Sequence, residues 1–384
     1  MIDIMDLDLK YPAISDLRDR ARRKIPKFIF EYLDSATGRE LGLKINRDAL
    51  DSISFMQRIL CGEQNFNLST KFLGHTYDLP IGAAPVGMSG LIWGGAERSI
   101  AAVAKERNIP NCLSSVAVAA PEELDGLISE NSFFQHYPVN SVELMRTMLS
   151  RVERVGYRTL VVTVDVPLES RRERQRKANL TVPPKIDLET IYQVLAHPHW
   201  AYHQLRQWRI PRMRFFDDYI PQRGRESFTH AGALIRGIPD WEYIARVRDS
   251  WSGNLIVKGV LRPEDAIRLM QMGVDSVWVS NHSGRQFEAG PAVIDQLPKI
   301  REAVGVGFPL IYDSGIAGGL DVMRGLAKGA DLVMVGRAFQ YAVAAFQKRG
   351  VEHLIDIFEA DLIANLSQIG CDNIANLEEH LLTR

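Results

Sequence analysis

Cysteine is scarce in this sequence. Cys61, Cys112 and Cys371 stand far apart, and no Cys-x-x-Cys pair occurs. That speaks against a disulfide framework or a zinc site and makes a reducing compartment the expectation. An excess of one charge is missing too, with 46 Lys+Arg against 47 Asp+Glu. Such a balance offers no electrostatic reason for nucleic acid as a partner. No run approaches the roughly 18–20 apolar residues needed to span a bilayer. The opening MIDIMDLDLKYPAISDLRDRARRKIP has no cationic segment followed by an apolar one, so it does not read as a signal peptide. No fixed-period repeat is evident, which argues against a solenoid.

Apolar residues, by contrast, make up 46% of the chain, enough for a large core. They recur as short runs: Ile81–Ala84, Asn111–Leu113, Phe133–His136, Thr159–Val164, Leu255–Val257, Ser276–Val279, Pro309–Tyr312 and Leu332–Val335. Most are continuous rather than alternating, as expected of parallel strands buried on both faces. Between them, Ala96–Arg107, Ser141–Val155, Pro263–Met272 and Gly319–Lys328 show helical spacing and end near Gly or Asn. Eight strand-then-helix units predict an α/β fold, a (β/α)8 TIM barrel, with an open doubly wound sheet as the competing arrangement.

The reading is of one domain over residues 1–384. Residues 1–80 form an N-terminal helical extension. The barrel spans 81–345, with a long insertion after strand four at 183–250, and C-terminal helices fill 346–384. The insertion contains HPHWAYHQLRQWRIPRMRFF. It reads as a rim loop with short helices, or as an active-site lid or interfacial segment, since basic and aromatic residues together suit a membrane surface. His197, His199 and His203 lack the neighbours expected of metal ligands, and no metal is expected.

Reactive groups in such a barrel sit at the C-terminal strand ends and in the loops that follow. There the sequence places Val86-Gly87, Ser114, Gln135, Tyr137, Thr163, Asp165, Lys258, the run Ser280–Gln286, Asp313-Ser314-Gly315 and Gly336-Arg337. The last two loops read as a phosphate site, where glycines admit an anion to backbone N–H groups and Arg337 adds a charged fork. Plain turn glycines with a surface Arg are the alternative. In SNHSGRQ, His282 suits proton abstraction near neutral pH, and Arg285 suits a two-point grip on a carboxylate. A structural His with a surface Arg fits the same letters. Asp165 either holds the imidazole or caps the turn before Pro167. Arg172, within Arg171–Arg174, is either solvated or a second carboxylate anchor. Lys258 ends a buried strand and needs an anion or a cofactor beside it.

Taken together, these residues resemble the FMN-dependent 2-hydroxy acid dehydrogenase/oxidase family, which includes glycolate oxidase, lactate oxidase, membrane-associated L-lactate dehydrogenase and (S)-mandelate dehydrogenase. The likeness runs from IPKFIFEYLDSATG to LSQIGCDNIANL, with SNHSGRQ, FFQHY, TVDVP, IVKGV, DSG and VGRAF in the family's order. It implies FMN as cofactor and oxidation of a small L-2-hydroxy acid to the 2-oxo acid. His282 is then the base, paired with Asp165. Arg285, Arg172 and Tyr32 bind the substrate carboxylate, and Tyr137 stabilises the reacting oxygen. Lys258 lies at the flavin's N1/O2 edge. Ser114, Gln135, Thr163 and Ser280 bond the isoalloxazine or ribityl, and backbone at Val86 and Gly87 approaches N5. Asp313, Ser314, Gly315, Gly336 and Arg337 cover the ribityl–phosphate end.

Gly87 matches members that pass electrons to quinone or another acceptor, whereas the oxidases, which use O2 and release H2O2, often carry Ala there. The resemblance also implies a homotetramer, and a cytoplasmic protein held peripherally at the inner face of the membrane through 183–250. Two departures stand out. Ser283 replaces the family's first Gly after the His, and Ala317 replaces a cationic phosphate contact. They keep open a flavin barrel with another reaction, or with none.

Overall fold

The computed structural model describes residues 4–178, 187–206, 211–219 and 237–382. Parts of the expected insertion, residues 183–186, 207–210 and 220–236, lie outside them. Eight parallel strands close into a barrel: β1 (Ile81–Ala83), β2 (Asn111–Ser114), β3 (Ser132–His136), β4 (Thr159–Thr163), β5 (Asn254–Val260), β6 (Ser276–Val279), β7 (Leu310–Tyr312) and β8 (Leu332–Val335). β8 pairs with β1, so no edge is left open. Every strand falls where its apolar run predicts, and closure rather than an open sheet is the outcome.

Side chains alternate along each strand, so one residue in two enters the barrel. Cys112, Phe133, Val161, Ile256, Trp278, Ile311 and Met334 pack together as the inner core. Their neighbours Leu113, Phe134, Leu160, Val162, Val257, Val277, Val279 and Leu310 pack outward under the helices. Burying a Leu or Ile side chain fully is worth about 1.5–3 kcal/mol. Both strand faces being buried therefore explains why the runs are continuous rather than alternating.

The helices start and stop on local chemistry. Ser141 accepts a hydrogen bond from Leu144 N to open Val142–Val155, and Gly156, at φ 114°, ends it where a side chain would be strained. The N-terminal extension holds the helices Ile14–Lys24, Lys27–Asp34 and Leu41–Asp51.

Two features depart from the expectation. A short hairpin, Thr70–Phe72 with His75–Tyr77, precedes β1, and its Phe72 and Tyr77 join the inner core as a plug. The insertion is also shorter than 183–250. Asp240 caps a helix Trp241–Ser250 that packs as the fourth helix of the barrel, its Tyr243, Ile244 and Val247 buried in the outer core. The described part of the insertion consists of the helices Leu188–Ala196 and Pro198–Arg206 and a 3-10 turn at Arg214–Tyr219.

Candidate active site

The alternation that builds the inner core also builds the site. Two residues after each of six core positions, the inward place is polar: Ser114, Gln135, Thr163, Lys258, Ser280 and Asp313. All six are buried. They form a floor across the C-terminal mouth. Two residues further, three of these strands lead to Tyr137, Asp165 and His282, which rise above the floor.

His282 faces Asp165. Its Nδ1 lies 3.1 Å from Oδ1 and 3.3 Å from Oδ2. Nε2 has no protein partner among the described residues. His282 and Ser283 both hold left-handed backbone, at φ 55° and 52°. Such a conformation costs a non-glycine residue of order 1–3 kcal/mol and persists only where the surroundings impose it. Here the surroundings are Asn281, whose side chain accepts from Gly284 N and exchanges hydrogen bonds with Asn46 at 2.9 and 3.0 Å. Gly284, at φ 69°, lies against the Gly42 backbone, and a Cβ there would fall 2.8 Å from the Gly42 carbonyl carbon. Burial pushes the imidazole below its ordinary range. Asp165 opposes that shift, while Lys258 and Arg172 add to it. The Asp165 carboxyl is pushed up by burial but ends below its ordinary range, because His282 and Lys258 outweigh the burial.

Two guanidinium groups act on this site through their charge. Burial pulls that of Arg285 down to about 9, and the charge of Arg172 adds to the effect. Arg172 also acts on His282, Tyr32 and Tyr137. Neither arginine has a carboxylate partner among the described residues. Their situations differ. Arg285 Nη1 donates to Leu33 O and Ser35 O, and Nη2 donates to Tyr32 O, all at 2.8–3.0 Å. It thereby satisfies the last carbonyls of the helix Lys27–Asp34. Among the described residues, Arg172 Nε donates only to Ser170 Oγ, at 3.3 Å. Arg174, in the same basic run, is instead held by Glu31, Asp34 and Glu40 in an ion-pair cluster.

Tyr32 donates its hydroxyl to Gly87 O at 2.8 Å, which ties the extension to the loop after β1. A Cβ on Gly87 would lie 2.9 Å from Val116 Cγ2 and 3.4 Å from Tyr32 Oη. Burial raises the hydroxyls of Tyr32 and Tyr137 above the ordinary range, so both remain donors.

Lys258 meets the anion that its burial demands. Its Nζ lies 3.0 Å from Asp313 Oδ2 and donates to Ser280 Oγ at 2.7 Å. Asp313, expected at the ribityl–phosphate end, thus turns its carboxylate to Lys258 and to Ser314 Oγ. The expected phosphate corner is also altered. At the helix Gly319–Ala327, Asp361 Oδ2 accepts from Gly319 N and Leu320 N, so a protein carboxylate occupies that N-terminus. Arg47 donates to Gly315 O but is paired with Asp321 and Asp51. Arg337, which follows Gly336, keeps no acidic partner among the described residues and donates to Asp34 O at 3.3 Å.

The floor fits a flavin. Ser114 Oγ donates to Gln135 Oε1 at 2.6 Å, which leaves Gln135 Nε2 buried without a partner, and Thr163 Oγ1 is likewise unpaired. A buried unsatisfied group costs about 1–3 kcal/mol. A heteroaromatic ring with acceptor atoms, laid over the floor, relieves both. Sequence reasoning missed the bonds of Ser170 to Arg285 O, Asn46 to Asn281, Ser314 to Ser283 N and Asp361 to Gly319 N, because each spans a long separation that leaves no local signal. The histidines of the insertion do not converge: His197 Nδ1 bonds Gln193 O, while His203 packs on Trp93. No group of three or more metal-ligating side chains occurs among the described residues.

The profile of the FMN-dependent dehydrogenase family matches residues 21–384. L-lactate dehydrogenase of Bartonella tribocorum is 35% identical over 381 residues, covering 94% of this chain and 97% of its own. L-lactate dehydrogenase of Vibrio cholerae is 34% identical, covering 97% and 99%. Among solved structures, the monotopic membrane protein (S)-mandelate dehydrogenase superposes with a TM-score of 0.91 at 28% identity, covering 97% of this chain and 99% of that one. Mandelate oxidase superposes at 0.82 and 25% identity, covering 97% and 98%. With a polar floor suited to a flavin, a His–Asp pair above it and relatives matched along nearly their whole length, this chain belongs to the FMN-dependent 2-hydroxy acid dehydrogenase family.

Proposed function

We propose that the site oxidises an L-2-hydroxy acid of the lactate or mandelate type and passes the electrons to quinone or another acceptor rather than to O2. One observation carries the substrate class: Arg172 and Arg285, which have no acidic partner among the described residues, bear on one another and on a His–Asp pair through their charge. A carboxylate next to the reacting carbon supplies the missing anion, and charge-assisted hydrogen bonds of this kind are worth about 1.5–3 kcal/mol each.

Arg172 and Arg285 take the carboxylate, with Tyr32 beside them. Tyr137, held protonated by burial, donates to the reacting oxygen. Neutral His282 accepts the substrate hydroxyl or C–H proton at Nε2, and Asp165 on Nδ1 stabilises the imidazolium that results. Ser114, Gln135, Thr163, Lys258 and Ser280 would hold the ring of FMN, backbone at Val86 and Gly87 would approach it from the loop after β1, and Ser314, Gly315, Gly336 and Arg337 would serve its ribityl–phosphate end. FMN, when bound, supplies a two-electron acceptor.

The rim supports this reading of acceptor and location. On the helix Leu188–Ala196, Leu188, Ile191, Tyr192 and Leu195 are exposed at i, i+3, i+4 and i+7, and Tyr202 and Leu205 continue outward on the next helix. Exposed His199 and Arg206 accompany them. An apolar stripe with the Arg206 cation beside it suits the headgroup layer of an anionic membrane. Trp200 Nε1 and Gln204 Nε2 donate to carbonyls at Gly90–Ile92, so this face is anchored to the loop that carries Gly87. A cytoplasmic protein resting on the inner membrane face, with quinone as acceptor, is the arrangement this supports. The homotetramer that the family likeness implies is checked by light scattering.

The test is an anaerobic screen of the yellow protein against glycolate, L-lactate, L-mandelate and longer or acidic 2-hydroxy acids. Bleaching by one of them, followed by faster reoxidation with a quinone than with O2, is expected. No bleaching by any acid overturns the reading. Faster reoxidation by O2 makes the protein an oxidase.

A further inference from the structure

Six polar groups that no single loop contains form one continuous chain beneath His282. Ser283 N donates to Ser314 Oγ at 3.1 Å, and Ser314 Oγ donates to Asp313 Oδ1 at 2.7 Å. Asp313 Oδ2 lies 3.0 Å from Lys258 Nζ, and that ammonium donates to Ser280 Oγ at 2.7 Å. Ser280 Oγ then accepts from His282 N at 3.1 Å. The chain therefore begins and ends on neighbouring amides of the strained His282–Ser283 pair. Ser280, Lys258, Asp313 and Ser314 are all buried, so water does not substitute for any link.

Ser314 is the link with the least reason to be there on local grounds. Its φ is 90°, a conformation that glycine adopts freely and a side chain resists. Its carbonyl accepts from Tyr312 Oη at 2.9 Å, which pins the backbone in place. A side chain kept at such a position points to a use for its hydroxyl. That hydroxyl has one proton, and Asp313 takes it, so its lone pairs are left to accept from Ser283 N. The direction of every bond from the His282 loop to the Asp313 carboxylate is thereby set.

We propose that Ser314 is a positioning residue that couples the seat of His282 to the charge Lys258 presents to the floor of the site. The inference rests on the functional reading above. The hydroxyl donates into Asp313 and disperses part of its charge. Lys258, facing a weakened counter-ion, keeps more positive potential toward the floor. At the other end, the hydroxyl holds the Ser283 amide and with it the left-handed turn that keeps His282 against Asp165.

The test compares Ser314→Gly with Ser314→Ala in the flavin-loaded protein. Both lack the hydroxyl, and only the alanine keeps the strained backbone, so Ser314→Gly is expected to be at least as heat-stable as the native protein. For both variants we expect kcat lowered about tenfold with KM for the hydroxy acid changed less than twofold, because neither carboxylate anchor is touched. The midpoint potential of the bound flavin, measured by dye-coupled reductive titration without substrate, should become more negative in both. A Ser314→Gly protein with native kcat and native potential overturns the proposal, whatever Ser314→Ala does, since strain alone then explains the alanine. The potential needs no hydroxy acid. Failure of the native protein to bleach would sink the functional reading, while an unmoved potential would sink only this one.

Discussion

Asp165 straddles one edge of the His282 ring, with its two oxygens 3.1 and 3.3 Å from Nδ1. The opposite nitrogen, Nε2, is left as the proton acceptor. We expect His282→Ala to keep its flavin and to lose the anaerobic bleaching rate by roughly 10²–10⁴-fold, the usual worth of a positioned base. Asp165→Asn should follow the same direction with a smaller loss. Native-rate bleaching in His282→Ala would remove the base assignment.

The pH dependence has a definite sign. Burial holds His282 below the ordinary histidine value of 6.5; Asp165 opposes this, and Lys258 and Arg172 reinforce it. Between the folded and unfolded pKa values the unfolded chain binds more protons at this site, so its contribution to stability is full above 6.5 and is lost as pH falls toward the folded value. Neutral imidazole is the working form. The acid limb of kcat/KM should therefore have its midpoint below pH 6.5. An acid limb centred above 6.5 would contradict the burial argument.

The two arginines should separate in mutagenesis. Arg172→Ala removes a cation that makes one weak side-chain bond. KM should rise about 10- to 100-fold, matching about 1.5–3 kcal/mol for a charge-assisted contact, with the melting temperature unchanged. Arg285→Ala also strips the carbonyls of Tyr32, Leu33 and Ser35 of their donor, so it should raise KM and lower the melting temperature by several degrees. Equal melting temperatures for the two variants would refute this division of roles.

Arg337 is the cation left for a phosphate once Arg47 is paired with Asp321 and Asp361 closes the neighbouring helix end. We expect Arg337→Ala to weaken FMN binding at least tenfold in fluorescence titration while riboflavin, which lacks the phosphate, binds as before. A parallel loss for both flavins would place the phosphate elsewhere.

The exposed stripe on the helix Leu188–Ala196 is open to a direct check. A Leu188→Glu/Leu195→Glu double variant changes residues that are 85% and 73% exposed, so the fold should tolerate it. Co-sedimentation with anionic phosphatidylglycerol vesicles should be lost while kcat with a water-soluble dye acceptor stays within twofold. Undiminished vesicle binding would remove this helix as the contact.

The strands were legible because burial on both faces writes itself as continuous apolar runs, and six of the eight runs carry a polar residue at or just past their C-terminal end. That is why Ser114, Gln135, Thr163, Lys258 and Ser280 stood out in the sequence as strand-end candidates. The hairpin at 70–77 was not legible, since three-residue strands carry too little pattern. The start of the fourth barrel helix at Trp241 was hidden inside a long polar stretch.

What the amino-acid order determined by itself was periodicity, residue chemistry and the positions where strands end. Partner choice belonged to the tertiary structure. Nothing in the letters says that Arg172 bonds Ser170 while Arg174 joins Glu31, Asp34 and Glu40, or that Asp313 turns to Lys258, or that Asp361 caps a helix some forty residues before it. Those outcomes depend on distances between segments remote along the chain, and Coulomb and hydrogen-bond energies act on distance in space, not on separation in sequence.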